Sequence, residues 1–216
     1  MRKQIESLYH KFFGQEVFIV AGGYSVKDIN IDYLYDKNTV AVNDAYKLLP
    51  NATALFWCDS SWYVRESSTL DKHNSKLRFQ AKFHADVTND TLSSGGATLL
   101  RRTGPHGYDP NIDHVMGNNS GTHCLNFVVN LGAKRIYLIG FDMRDNPTKR
   151  GENHWHDYHT LVVRPDVYSR MFIPSITALN DGIHKAGVDV EIINCSKLSA
   201  IECFKKRTLA ELIVKQ

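Results

Sequence analysis

The sequence predicts an α/β fold of the doubly wound type, a mostly parallel sheet with helices on both faces and long loops carrying the chemistry. Three observations predict it. Short β-branched apolar runs recur near the N-terminus, two helix-then-strand units follow in the second half, and two long stretches without periodicity separate them.

Val17-Phe-Ile-Val-Ala21 is a buried strand that stops at Gly22-Gly23, and Thr39-Val-Ala-Val-Asn43 and Ala52-Thr-Ala-Leu-Phe-Trp57 repeat the pattern. Three such runs inside about 40 residues, joined by short polar pieces, predict a parallel sheet whose first crossover is short. Leu77-Arg-Phe-Gln-Ala-Lys-Phe83 alternates, as a half-exposed strand does. Ser120 is placed to cap a helix with Cys124, Phe127, Val128 and Leu131 on one face, and Gly132 to end it. Arg135-Ile-Tyr-Leu-Ile139 follows as a strand closing with Gly140-Phe-Asp142. Pro174 opens a second helix through Ala186, Gly187 closes it, and Val188-Asp-Val-Glu-Ile-Ile193 returns as a strand. Residues 84–118 and 143–170 read as functional loops. With no repeat, linker or charge block, residues 1–216 read as a single domain.

Composition sets the outer limits. The 216 residues are 43% hydrophobic, 23% charged and 11% aromatic, which excludes disordered, collagenous and low-complexity chains. A chain of this length buries roughly 70% of its unfolded surface, enough for one core without staples. No apolar stretch approaches the ~20 residues of a membrane span, and Met1-Arg2-Lys3-Gln4 opens on charge, so the expectation is a cytoplasmic protein. A net charge of +3 does not demand a polyanionic partner. Cys58, Cys124, Cys195 and Cys203 form no CxxC pair and read as reduced, mostly buried thiols.

Ligands of open α/β sheets bind beyond the carboxyl ends of the strands. The residues there are Gly22-Gly23-Tyr24-Ser25, Asn43-Asp44, Cys58-Asp59-Ser60-Ser61 and Asp142. Gly22-Gly23 before Ser25 lets backbone amides approach a phosphate or ribose, although a plain strand-ending turn explains the pair equally well. Asn118-Asn119-Ser120-Gly121 presents free N–H groups at the positive end of a helix, a seat for a phosphate or base edge or simply a cap. Asp59 and Asp142 suit hydrogen bonding to hydroxyls; a divalent ion on a diphosphate is possible but not favoured, because Arg144 stands beside Asp142 and Asp145. His154-Trp155-His156-Asp157-Tyr158-His159 packs three imidazoles into a loop with no cysteine near, better suited to a general base than to zinc. No GxSxG, HExxH or catalytic carboxylate pair occurs.

In this order the pieces resemble the bacterial sialyltransferases that build lipooligosaccharide, and a broader set of phage and microbial proteins that includes the archaeal 6-hydroxymethylpterin pyrophosphokinase. The matching text is Val20-Ala-Gly-Gly-Tyr-Ser25, Val42-Asn43, Leu55-Phe-Trp-Cys-Asp59-Ser60, Ser120-Gly-Thr-His-Cys124 through Leu131-Gly-Ala-Lys-Arg-Ile-Tyr-Leu-Ile-Gly-Phe-Asp142, and Ile193-Asn-Cys-Ser-Lys-Leu-Ser199. The resemblance implies a Rossmann-like variant of the GT-A type that binds a nucleotide-activated donor and requires no metal or other cofactor. It implies that Gly22, Gly23 and Ser25 face the donor phosphate or ribose and that Asn43, with Asp44 and Asp59 beside it on the donor side, binds the nucleotide. Asn119, Ser120 and Gly121 would contact sugar or base, Asp142 would shape the pocket, and His156, with His154 and His159 as neighbours, would deprotonate the acceptor. Two departures stand out. The sialyltransferases carry Asn-Gly-Pro where this chain has Gly22-Gly23-Tyr24, and a tyrosine that stabilises the leaving phosphate where this chain has Met143 and Arg144. Arg144 could serve there through its forked donors, or Tyr158 or Tyr168 could substitute.

The expected function is a glycosyltransferase using a nucleotide sugar, with a glycan or a hydroxymethylated base in phage DNA as acceptor, which would place it in the host cytoplasm. Arg101-Arg102, Lys134-Arg135, Lys149-Arg150 and Lys205-Lys206-Arg207 are the basic groups that could track DNA phosphates. A pyrophosphokinase and a non-enzymatic nucleotide- or nucleic-acid-binding module are the alternatives.

Overall fold

Alternation along the strands sends side chains into two layers. Val17 and Ile19 of β1 (Glu16–Val20) enter one layer, Phe18 and Val20 the other. The computed structural model describes residues 3–70, 77–83, 96–149, 151–156 and 165–213. Eight further strands join β1: β2 (Thr39–Val42), β3 (Ala54–Trp57), β4 (Arg78–Phe83), β5 (Thr98–Gly104), β6 (His114–Met116), β7 (Arg135–Ile139), β8 (Glu191–Asn194) and β9 (Lys205–Lys206). All pair in parallel, in the order β6-β5-β4-β3-β2-β1-β7-β8-β9. The order reverses between β1 and β7, so the connections leaving those two strands part company and open a crevice at their carboxyl ends.

One layer takes α1 (Lys3–Phe12), α3 (Ser120–Asn130) and α5 (Ile173–Lys185) against Val17, Ile19, Val40, Phe56, Ile136 and Leu138. The other takes α2 (Ser60–Leu70), α6 (Leu209–Ile213) and the 3₁₀ turns Tyr24–Asp28, Ile31–Leu34 and Asn43–Lys47 against Phe18, Ala41, Leu55, Trp57 and Tyr137. Phe18 and Tyr137 stack at 4.5 Å across β1 and β7, a pair worth roughly 0.5–1.5 kcal/mol beyond its buried area. The β1–β2 crossover contains only 3₁₀ turns and is short, as the spacing of the apolar runs requires. A three-residue helix, α4 (Pro165–Val167), leads through a π-helical turn, Tyr168–Phe172, into α5.

Three expectations need correction. β4 is an interior strand with Phe79, Gln80 and Ala81 all buried, because β5 covers its outer edge. The stretch 84–118 contains β5 and β6, and the stretch 143–170 ends in α4 and the π turn. The cap of α3 is Asn119, whose side-chain oxygen accepts from the Thr122 N–H at 3.0 Å, so Ser120 is the first helical residue. All four cysteines are free thiols. Among the described residues, no helix is long and apolar enough to cross a membrane.

Candidate functional site

The ladder between β1 and β7 continues past both strand ends, with Ala21 N–H donating to Ile139 O at 2.9 Å and Gly23 N–H to Gly140 O at 3.0 Å. So close an approach forbids a side chain at Gly23: a Cβ there would lie 2.5 Å from the Gly140 oxygen and overlap the Asp142 carboxylate. Ser25 N–H donates to Asp142 Oδ2 at 3.1 Å, and the Ser25 and Ser196 hydroxyls share a 2.7 Å hydrogen bond. Burial lifts the Asp142 carboxyl above the ordinary aspartate range, against the donors of Ser25 and Ser196. Ser25 and Asp142 therefore brace the glycine turn from behind and do not line the cavity, contrary to the roles expected of them. The tail completes the brace: Ser199 donates to Phe141 O at 2.6 Å, and Ala200 N–H to Asp142 O at 2.8 Å.

Above this floor lies a cavity of about 400 Å³. Gly22, Gly23, Asn43, Asp44, Asp59, Asn119, Ser120, Gly121, His154 and His156 all line it, so strand ends, helix start and histidine loop converge as the sequence implies. A Cβ on Gly121 would sit 2.9 Å from the Phe141 ring; this bare position lets the start of α3 close on the end of β7. Arg102 of β5 stands on the same wall, beside a register shift between Arg102 and Gly104. Its charge is felt at Cys58 and at His123 in the first turn of α3. Burial, then Arg102, pushes the His123 imidazole down to about 3, and burial pushes the Cys58 thiol up to about 12. Their 3.2 Å contact is thus a hydrogen bond between neutral groups and not an activated nucleophile.

The histidine loop is tied to the glycine turn. Trp155 N–H donates to Gly22 O at 3.2 Å, and His154 Nδ1 lies 3.1 Å from the same oxygen. A carbonyl only accepts, so Nδ1 of His154 carries the proton and Nε2 is its basic nitrogen. His156 Nε2 faces Asp44 Oδ2 at 3.7 Å, both side chains being 2% exposed, and the two imidazoles stack at 5.6 Å. Asp44 is also held by Lys47 at 3.1 Å and Arg65 at 3.4 Å. Glu66 spans the same two cations and accepts from Tyr46 OH at 2.7 Å. Burial would raise the Glu66 carboxyl, but hydrogen bonds from Arg65, Tyr46 and Lys47 win and hold it at about 2. Asp44 is therefore committed to cations, and at 3.7 Å its carboxylate is a neighbour of His156 Nε2 beyond hydrogen-bond reach.

Among the described residues, Asn43 (φ +51°) and Met143 (φ +50°) are the non-glycine residues with left-handed backbone, and both line the cavity. Such strain costs of order 1–3 kcal/mol and is held by surrounding structure, typically at functional sites. Asn43 Oδ1 is buried and accepts no hydrogen bond from the described residues.

Arg144 is exposed and lines a neighbouring cavity, not this one, because Met143 turns the chain back after Asp142. Tyr168 and Phe172 of the π turn do line it, and burial lifts the Tyr168 phenol to about 12. His159 and Tyr158 lie outside the described residues. Asn153 and Phe172 carry no signal in the sequence, and Arg102, offered there only as half of a basic pair for DNA phosphates, lines this cavity. Of the other basic groups, Arg135 binds Glu16 and Glu191, Lys149 binds Glu152, Lys205 binds Glu191 and Lys206 binds Glu202, while Arg150 lies outside the described residues. Among the described residues, no group of three His, Cys, Asp or Glu side chains could hold a metal ion.

No protein-family model and no curated protein matches the chain. Among solved structures, one named for a fructose-1,6-biphosphate aldolase from Coccidioides immitis aligns at 9% identity, covering 99% of this chain and 83% of that one, with a TM-score of 0.25. At that score the likeness carries no argument about fold or function.

Proposed function

We propose that the chain is a metal-independent glycosyltransferase of a Rossmann-like, GT-A-type variant, which moves a sugar from a nucleotide donor to an acceptor hydroxyl. The observation that carries the reading is the convergence, in one cavity at the switch point, of an uncovered glycine turn, a helix N-terminus beside Arg102, and a histidine pair backed by Asp44. A diphosphate or phosphate suits the second, since backbone N–H groups and the helix dipole favour an anion by about 0.3–1 kcal/mol or more and a guanidinium adds forked donors, while the glycine turn, its Gly23 and Ser25 N–H groups bound to Gly140 O and Asp142, offers bare backbone for a close approach. Arg102 takes the leaving-group role that the sequence assigned to Arg144.

In the proposed step the acceptor O–H gives its proton to His156 while its oxygen bonds to the anomeric carbon. The bond from that carbon to the nucleotide phosphate oxygen breaks, and the electron pair leaves with the phosphate, facing Arg102 and the start of α3. Positioning of donor and acceptor supplies the larger share of the barrier reduction, up to about 7–11 kcal/mol, and the base a further 10²–10⁴-fold, about 3–5 kcal/mol.

The test is a melting screen of nucleotides and nucleotide sugars with and without EDTA, followed by mass detection of transferred sugar. A fitting donor at a hundred times its Kd stabilises by about 2.7 kcal/mol, a rise of roughly 5–11 °C for a domain of this size. EDTA-sensitive pyrophosphoryl transfer from ATP would replace the reading by the kinase alternative. Binding without turnover across the panel would replace it by a binding module.

A further inference from the structure

The segment that carries His154 and His156 lies outside the nine strands and the helices. It meets the glycine turn through an isolated antiparallel bridge, His154 to Gly23, closed by Trp155 N–H on Gly22 O at 3.2 Å. Pairing of that extent is marginal by itself, so a second anchor is needed to keep the histidines on the cavity wall.

Glu152, two residues before His154, has the bonds of such an anchor. Asn146 N–H donates to Glu152 O at 2.7 Å, Glu152 N–H to Lys149 O at 3.1 Å, and Asn146 Nδ2 to Glu152 Oε2 at 2.5 Å. Lys149 adds a contact to Oε1 at 3.0 Å. All of these come from the segment itself, and they hold the carboxylate still. The remaining partner comes from elsewhere: Lys27, in the 3₁₀ turn that follows the glycine pair, reaches Oε1 at 2.6 Å. Lys27 first, then Asn146 and Lys149, hold the Glu152 carboxyl down at about 2, so it is charged at neutral pH.

An exposed ion pair is worth little when two long side chains must both be ordered to make it. Here the Glu152 side chain is 12% exposed and ordered beforehand, so only Lys27 gives up freedom. Extended chain rises about 3.3 Å per residue, which puts His154 roughly 7 Å and His156 roughly 13 Å of chain from the anchor. A shift at Glu152 is therefore felt at both rings.

We propose that Lys27 and Glu152 are positioning residues: their ion pair ties the histidine segment across the glycine turn, so that His154 and His156 stand on the cavity wall before a ligand arrives. The tie is independent of the transfer reading, and its effect on turnover rests on that reading.

The experiment is amide hydrogen exchange by NMR on the full chain without ligand, comparing the parent with Lys27→Glu, Lys27→Met and Lys27→Arg. Initial rates with UDP-glucose, GDP-mannose and CMP-N-acetylneuraminate follow on the same proteins. In Lys27→Glu the Trp155 amide should exchange about fivefold faster or more, while the Ala21 and Gly23 amides, bound to the β7 side, keep their protection. Lys27→Arg should restore the parent value, and Lys27→Met, which removes charge without repulsion, serves should Lys27→Glu unfold. With any donor that the parent turns over, Lys27→Glu should lower kcat about fivefold or more and change KM for the donor less than twofold. The proposal is overturned if Trp155 exchanges alike in the parent and Lys27→Glu, if Lys27→Arg loses as much protection as Lys27→Glu, or if Ala21 and Gly23 loosen by the same factor. Trp155 released by Lys27→Glu and held by Lys27→Arg, with no donor turned over by the parent, would keep the tie and sink the transfer reading. Turnover by the parent that is indifferent to Lys27→Glu would do the converse.

Discussion

Replacing Gly23 by alanine separates conformational from steric causes. Gly23 has φ −65° and ψ 156°, a backbone any residue adopts, so alanine carries no torsional penalty and would by itself stabilise by about 0.4–1 kcal/mol through the unfolded chain. Against this, its Cβ would lie 2.5 Å from Gly140 O and overlap the Asp142 carboxylate. Relief requires the turn to rise off β7, which strains the Gly23–Gly140 hydrogen bond at 3.0 Å and the charge-assisted Ser25–Asp142 bond at 3.1 Å. Losing one neutral and one charged hydrogen bond costs about 2–4.5 kcal/mol, so the net destabilisation is about 1–4 kcal/mol. For a domain of this length that lowers Tm by roughly 2–16 °C. Gly14→Ala is the control: φ +70° strains alanine, but nothing lies within 4 Å, so the loss is about 1 kcal/mol. The assay is urea unfolding of both variants beside the parent. A Gly23→Ala protein at least as stable as the parent would refute the reasoning, because the close packing of turn on strand would then not exist.

His156→Ala should lower turnover by about 10²–10⁴-fold with nucleotide affinity nearly intact, measured by initial rates and calorimetry; unchanged turnover would move the base to His154. Asp44→Asn should reduce kcat by about tenfold, since its carboxylate faces His156 Nε2 at 3.7 Å, and should weaken donor binding less, although Asp44 lines the cavity; an unchanged kcat would contradict its part in the base. Asn43→Gly should leave stability within about 1 kcal/mol, because glycine relieves the positive φ, yet weaken nucleotide binding about fivefold or more, read by titration calorimetry. Glu66, held at about 2, contributes stability that is present above its unfolded pKa near 4.5 and fades as pH falls toward 2. Glu66→Gln should therefore flatten the urea midpoint between about pH 4.5 and 2; an unchanged slope would count against the network.

The legible parts of this chain are those where one local signal decides the outcome. β1, β2 and β3 are unbroken apolar runs, and α3 with β7 carries helical period, a terminating glycine and a following strand in sequence. β5 escaped because Arg101 and Arg102 interrupt its apolar half, and β6 because three residues hold no period. Arg102 is legible only as half of a basic pair, because its place on the cavity wall depends on pairing with two neighbouring strands. Histidine density locates His154 and His156, but not the contact of one ring with Gly22 and the place of the other beside Asp44, partners more than a hundred positions away. Ser25 and Asp142 were placed at the ligand because both follow strands; their mutual hydrogen bond turns them inward. Arg144 was misplaced by a single backbone angle, the φ of Met143, which no residue type announces.

The account stands on the glycine turn and the start of α3 sharing one nucleotide. Its most direct test is amide NMR during titration with the donor found by the melting screen. The account predicts that Gly22, Gly23, Ser120 and Gly121 shift together along one saturation curve with a single Kd. Shifts confined to one of the two segments, or two curves with different affinities, would contradict it.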